Sequence, residues 1–409
     1  MDCLSSRNAC IPSRGGVQLA GKNAAQALRN RTELDTLLQA LGLQGHTCTE
    51  SLVTVSGHVL VCTLTREAAQ SWAPAHDTLG LQLRVQETWA GLDEPQALER
   101  EILIALLASP IGFGYPGVEA LLSQVRVRRN IALAARKTAL AFKTEAAERP
   151  EAYWRYDEGN GFLLHPGRPL IEALVCATQP EATGKLYDFS CYRATEYVIL
   201  LGIAQEAARH HPRLLDELQS CNEQNAIRSG QFHDVFLVEY GSMEAPLPAR
   251  YYVPGDRLWF RNPDERSSDV MGYEGSWVIY MGGGLFSNFW RRDRPFTLES
   301  KCLEVYHWRD GVVTDAAGEL QMDEARVEAC VQRTQAQPQA LRQVLQRMMR
   351  MRDAKGVYAD GGCIDSTREY PRGVAAGACE LVLPPLPGAL EASQPRAVPP
   401  VAAVAGACP

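Results

Sequence analysis

Cys191 stands where an apolar helical period begins. Behind it come Leu186, Tyr187, Asp188, Phe189 and Ser190; ahead, Ala194, Tyr197, Val198 and Leu201 recur at helical spacing up to His210, and Pro212 closes the run. A cysteine that opens a helix meets unpaired N–H groups and the positive end of the helix dipole, both of which favour thiolate over thiol. The same N–H groups can bind the oxyanion formed when a thiolate attacks a carboxamide. Such chemistry also needs a proton acceptor from a neighbouring element. Strand candidates follow at Asp234 to Tyr240, Leu258 to Phe260 and Trp277 to Met281, separated by turns such as Val253-Pro254-Gly255-Asp256 and Gly282-Gly283-Gly284. The layout is therefore that of a thiol acyl-transfer site. A buried structural cysteine on a core helix fits the same spacing. Spacing alone leaves both readings open.

The elements that would position this cysteine are legible from periodicity. From Glu94 the pattern is helical, with Leu98, Ile102, Leu103, Leu106 and Leu107 on one face. A loop holding Pro110, Gly112, Gly114, Pro116 and Gly117 stops it, and a second helix runs from Val118 to about Glu148. Tyr153 to Tyr156 and Phe162 to His165 flank a glycine-rich turn, and another helix starts near Pro169. Thr297 to Trp308 reads as one more strand, and residues 322–352 as polar helix. Upstream, residues 21–92 read as a small α/β appendage, helical from Ala24 to Leu43 and strand-like at Ser51 to Leu64 and Leu81 to Val85. Residues 1–20 read as a loose tail. The remaining divisions are a central domain over 93–318, a helical extension over 319–354, and a Gly/Pro/Ala-rich tail over 355–409. That last stretch lacks a periodic apolar face, so the expectation for it is disorder. The fold class is α+β, a cysteine-bearing helix N-terminus packed on an antiparallel sheet.

Composition narrows the function. The 409 residues are 46% hydrophobic and carry a formal net charge of −7, so the chain can bury a large core but offers nucleic acid no broad basic field. Arg126, Arg128, Arg129, Arg136 and Lys137 cluster at helical spacing and read as a solvated helix face. The 12 cysteines are irregularly spaced, without a C-x-x-C pair or a Cys/His set at zinc spacing, so neither a structural metal nor any other cofactor is expected. The N-terminal residues lack the apolar core of a signal peptide, and the longest apolar run, Tyr197 to Ala204, is too short to span a bilayer. Cytoplasmic synthesis is the expectation, with later export by a specialised route left open.

Several stretches together carry a family resemblance. Val118 to Leu122 and Arg126 to Ala135 resemble a long helix with an R-x-N-I-x-x-A-A pattern, and Tyr153-Trp154-Arg155 matches Y-W-R. Phe189-Ser190-Cys191-Tyr192-Arg193-Ala194 resembles F-E-C-A-T-A, Gly255 to Pro263 resembles G-D-C-L-Y-F-K-N-P, and Gly275 to Gly282 resembles G-E-N-V-I-L-L-G. In order and approximate spacing these segments resemble the bacterial spore-coat protein-glutamine γ-glutamyltransferases, the transglutaminases of spore formers. The resemblance implies a papain-like α+β core and a calcium-independent reaction. A thiolate attacks a glutamine carboxamide, ammonia leaves, and a lysine amine resolves the thioester into an isopeptide crosslink. It implies protein substrates bearing Gln and Lys, and it makes Cys191 the nucleophile.

Other positions depart from the pattern. The carboxylate of G-E-N-V-I falls on Ser276; Glu274, two residues upstream, could replace it. The histidine position falls on Asn288, whose amide cannot accept a proton at neutral pH. His233 and His307 are the histidines that could stand in, each equally readable as structural. Ser190 stands where the family has a carboxylate. Tyr187, Trp259, Ser276 and Trp277 are candidates to line the substrate groove, with core packing as the alternative for the aromatics. Asp256 reads as a turn cap. On the same fold a glutamine deamidase, a peptidase or a binding protein that has lost the reaction stay open.

Overall fold

The computed structural model describes residues 14–55, 57–85, 92–142, 147–227, 229–352 and 361–384. β1 (Gly16–Gly21) leads into α1 (Ala24–Ala40), capped by Asn23, whose side-chain oxygen accepts the Gln26 N–H. A hairpin of β2 (Thr47–Thr54) and β3 (Gly57–Leu64) follows, then α2 (Arg66–Trp72). Leu81 to Val85, expected as strand, instead starts a short helix, α3 (Leu81–Arg84). α4 (Glu94–Leu107) buries the apolar face its period required, and β4 (Gly112–Tyr115) then returns beside β1. The sheet order is β2-β3-β1-β4, with β4 parallel to β1 in the register Val17–Phe113 to Leu19–Tyr115. The expected N-terminal tail therefore carries a central strand from Gly16 onward.

α5 (Val118–Lys137) is the scaffold of the molecule. Three of its basic residues are not a solvated face, although Lys137 at its end is exposed. Arg128 is fully buried against Asp256 at 2.7 Å, Arg126 pairs with Glu206 at 2.9 Å, and Arg129 with Glu99. Asp256, in turn, is a buried hub that also accepts from the Tyr240 hydroxyl and the Val253 N–H. Short strands follow: β5 (Ala141–Phe142), β6 (Trp154–Asp157) and β7 (Gly161–Leu164), then α6 (Leu170–Thr178) and β8 (Asp188–Phe189), which pairs with β5. α7 (Cys191–His210) crosses α5 at Gly202, where a Cβ would stand 2.9 Å from the Ile131 nitrogen; only glycine permits that approach. α8 (Pro212–Gln224), α9 (Ser229–Phe236) and β9 (Leu237–Tyr240) complete this half.

The second sheet is antiparallel throughout. β10 (Arg257–Arg261) leads through α10 (Glu265–Ser268) to β11 (Gly275–Gly282) and β12 (Leu285–Phe286). Then come α11 (Leu298–Gly311), the hairpin β13 (Val312–Thr314) and β14 (Leu320–Met322), α12 (Glu324–Gln335), α13 (Pro338–Met348) and β15 (Arg368–Pro371). The order is β12-β11-β10-β15-β9. Two expectations give way here. Thr297 to Trp308 is helix, because Thr297 and Ser300 cap each other reciprocally while Leu298, Cys302 and Val305 bury one face. The stretch expected to be disordered from 355 supplies β15, which joins β10 to β9. Ile279 and Met281 of β11 pack with α7, while Val278 and Tyr280 pack with α11, so the sheet is sandwiched between the two helices.

Candidate active site

Cys191 is the first residue of α7. Ser190 caps the helix, its hydroxyl oxygen accepting the Arg193 N–H at 3.3 Å, which leaves the earlier N–H groups of the turn unspent. The Tyr192 N–H reaches the Cys191 sulfur, and so does the Trp277 N–H from β11. The second donor is free because β12 pairs only with the far end of β11, around Tyr280 and Gly282. Ile279 spends its N–H on the Ser287 hydroxyl at 3.0 Å; nearer the strand's start no partner among the described residues intervenes before the thiol. Cys191 is half-buried in a cavity walled by Phe142, Tyr273, Ser276, Trp277, Asn288, Trp290, Phe296, Lys301, Glu304, Trp308 and Glu324.

Burial pushes the Cys191 thiol above its ordinary range, opposed by the Trp277 N–H, the charge of Lys301 and the Tyr192 N–H, and reinforced slightly by Glu274.

Of the residues singled out in sequence, Ser276, Trp277 and Asn288 share the cavity with Cys191. Asn288 spends its amide on the turn that follows, Nδ2 donating to the Arg294 carbonyl at 3.0 Å and Oδ1 accepting the Arg291 N–H at 3.2 Å. Glu274 is exposed, just before β11, and is not among the cavity walls; its carboxylate faces the Gly272 N–H at 3.4 Å. Trp259 lies behind Trp277, stacked at 5.5 Å and 8°. Tyr187 is core, packed near Phe189 and Ala194. Neither aromatic lines the cavity.

The histidines are engaged elsewhere. His233 Nδ1 lies 2.7 Å from Glu369, which also pairs with the buried Arg257. His307 sits 2.7 Å from Asp310 and 2.8 Å from the Thr334 hydroxyl. Among the described residues, His307, Asp310 and Cys330 bring ligand-type atoms within 4.8 Å of one another. Arg333, however, donates to the Cys330 sulfur at 2.8 Å, and a cation so placed opposes a metal.

Sequence reasoning missed Lys301, Glu304, Tyr273 and Glu324. The first two were hidden by reading α11 as a strand. As a helix, that segment carries a lone lysine among apolar positions, a signal that would have pointed to it. Lys301 is 3% exposed, with its Nζ 3.1 Å from Glu304 and 4.1 Å from the Phe296 ring centroid.

No helix among the described residues is long and apolar enough to cross a membrane. Curated protein sequences give no match to the chain. Among solved structures it is similar to a transglutaminase from Geobacillus stearothermophilus (without C-terminal extension), 20% identical over 52% of this chain and 98% of that one, with a TM-score of 0.35. The family model described as protein-glutamine gamma-glutamyltransferase matches residues 82–359, a span that contains Cys191 and every wall of its cavity. That match covers well over half of the sequence, and the chain belongs to the protein-glutamine gamma-glutamyltransferase family.

Proposed function

We propose that the chain joins glutamine and lysine side chains of proteins through a thioester on Cys191. The observation that carries this reading is the Cys191 sulfur at a helix start, facing a cavity and met by two backbone N–H groups. In the proposed reaction the thiolate attacks the glutamine carboxamide, and the oxyanion forms beside the Trp277 and α7 N–H groups. The C–N bond breaks, the leaving nitrogen takes a proton from water and ammonia departs. A lysine amine then attacks the thioester, giving the isopeptide and restoring the thiol. Trp277, Ser276 and the ring of Phe142 are suited to flank the incoming aliphatic chain. The resemblance to spore-coat enzymes extends the proposal to a calcium-independent reaction, checked by undiminished rates in EDTA.

The test is incorporation of a fluorescent primary amine into a glutamine-rich protein. Wild type labels the acceptor and Cys191→Ala does not; equal labelling by the two removes Cys191 from the chemistry. A glutamate product without added amine would assign water as the acceptor instead.

A silent thiol on the same fold is the second reading, favoured by the upward push of burial and by the commitment of Asn288 to its turn. Rapid, selective alkylation of Cys191 at pH 6 rules that reading out.

A further inference from the structure

The acyl-transfer scheme gives no part to Lys301, although no residue in the cavity is more costly to place there. A lysine is seldom buried unless its charge is used or paired. Its ammonium has Glu304 at 3.1 Å, one helical turn on, and lies over the rings of Phe296 at 4.1 Å and Trp308 at 5.4 Å. Among the described residues that wall the cavity, Lys301 is the one cation. The remaining ionisable walls are Glu304 on α11, Glu324 at the start of α12, and Tyr273 from the β10–β11 connection, with Glu274 beside it outside the cavity. On α7, Tyr192 follows the thiol, and the Arg257 guanidinium lies 4.8 Å from the ring centroids of both Tyr192 and Trp277 without itself walling the cavity. The carboxylates oppose a thiolate. A thiol enzyme commonly meets that need with an imidazolium, and the position where one would stand holds Asn288.

We propose that Lys301 is the cation that stabilises the Cys191 thiolate, with the Glu304 carboxylate beside it offsetting part of its charge. The inference rests on the acyl-transfer reading of the site. Lys301 acts through its charge and neither gives nor takes a proton. Sulfur gives its proton to water as the thiolate forms; when the C–S bond forms and the C–N bond breaks, the leaving nitrogen takes one from water and departs as ammonia, and the acceptor amine returns a proton to sulfur when the thioester is resolved.

The experiment follows iodoacetamide alkylation of Cys191 in the full-length protein against pH, quantified on the peptide that carries it, beside amine incorporation. Lys301→Met raises the alkylation midpoint by about one pH unit, so alkylation well below the midpoint slows about tenfold. Lys301→Arg keeps the midpoint near wild type. Glu304→Gln lowers it, a direction that loosened packing would not produce. An unchanged midpoint in Lys301→Met overturns the proposal. Should that variant fail to fold, an unchanged or raised midpoint in Glu304→Gln overturns it equally. Alkylation needs no turnover, so the two readings separate. A wild type that transfers no amine while Lys301→Met still shifts the midpoint sinks acyl transfer and keeps the charge pairing. Intact transfer with an unshifted midpoint sinks the pairing alone.

Discussion

Glu196 lies on the buried side of α7, with one carboxylate oxygen accepting from Arg193 at 2.6 Å and the other buried without a hydrogen bond. Burial, only partly offset by Arg193 and Arg257, pushes its carboxyl up to about 7. A raised acid contributes its stability fully below its unfolded value of about 4.3, and that contribution is lost as pH rises through about 7. Glu196→Gln removes the titration, and the expected outcome is a flatter dependence of urea stability between pH 5 and 8. A slope equal to wild type defeats this account. The His233–Glu369 pair titrates in both senses. Glu369 raises the imidazole, while the His233 hydrogen bond and the Arg257 charge lower the carboxyl despite its burial. The histidine's share is present below about 6.5 and is lost as pH rises through its raised value. The carboxylate's share is present above about 4.3 and is lost as pH falls through its depressed value. His233→Ala therefore lowers the melting temperature more at pH 6 than at pH 9. The effect is modest, since the imidazole is 35% exposed and screened by solvent.

At the scale of elements, close approach governs both the core and the cavity. Gly275 opens β11 at the cavity wall, and a Cβ there would fall 2.7 Å from the Phe260 carbonyl oxygen and closer still to the Trp259 indole. Gly275→Ala must displace Trp259, and with it the Trp277 ring stacked at 5.5 Å and the strand whose N–H meets Cys191. Overpacking of this kind costs about 1–3 kcal/mol. Amine incorporation is expected to fall further than that loss of stability explains at a temperature where the variant stays folded. Undiminished transfer would show that the strand entry does not position the donor.

The same scale explains what was legible in the sequence. The helix of Cys191 and the strand of Trp277 declare themselves by period and by motif, and they bring Cys191, Ser276, Trp277 and Asn288 to one cavity. Lys301 stayed hidden because Tyr306 and Trp308 are strand-prone residues, whereas the helix is decided by the Thr297–Ser300 cap and by burial against β10 and β11. Glu274 and Tyr187 were placed by motif alignment and adjacency alone. A step of two residues sends Glu274 to the surface, and the turn into α7 sends Tyr187 to the core.

Over the whole molecule, the second sheet closes only with a strand from beyond the family match, which ends at residue 359. β9 and β10 meet through β15, where Glu369 faces Glu239 on one side and Arg257 on the other. Arg368-Glu369-Tyr370-Pro371 has too little apolar period to announce a strand; its place comes from charges that find buried partners. Glu369 holds Arg257, which is 1% exposed, and the Pro371 carbonyl accepts from the buried Gln124 of α5 at 2.8 Å. Breaking a buried ion pair by removing one partner costs about 3–5 kcal/mol, before the loss of the ladder on either side of β15. Domains of ordinary stability have about 5–15 kcal/mol in total. A chain ending at residue 360 is thus expected to lose its cooperative melting transition and to accumulate as insoluble protein, with Glu369→Gln as the milder version, soluble but lower in urea midpoint. If the truncated chain instead melts cooperatively within a few degrees of wild type and still transfers amine, then β9 and β10 stand without β15, and the C-terminal strand is decoration on a sheet that is complete without it.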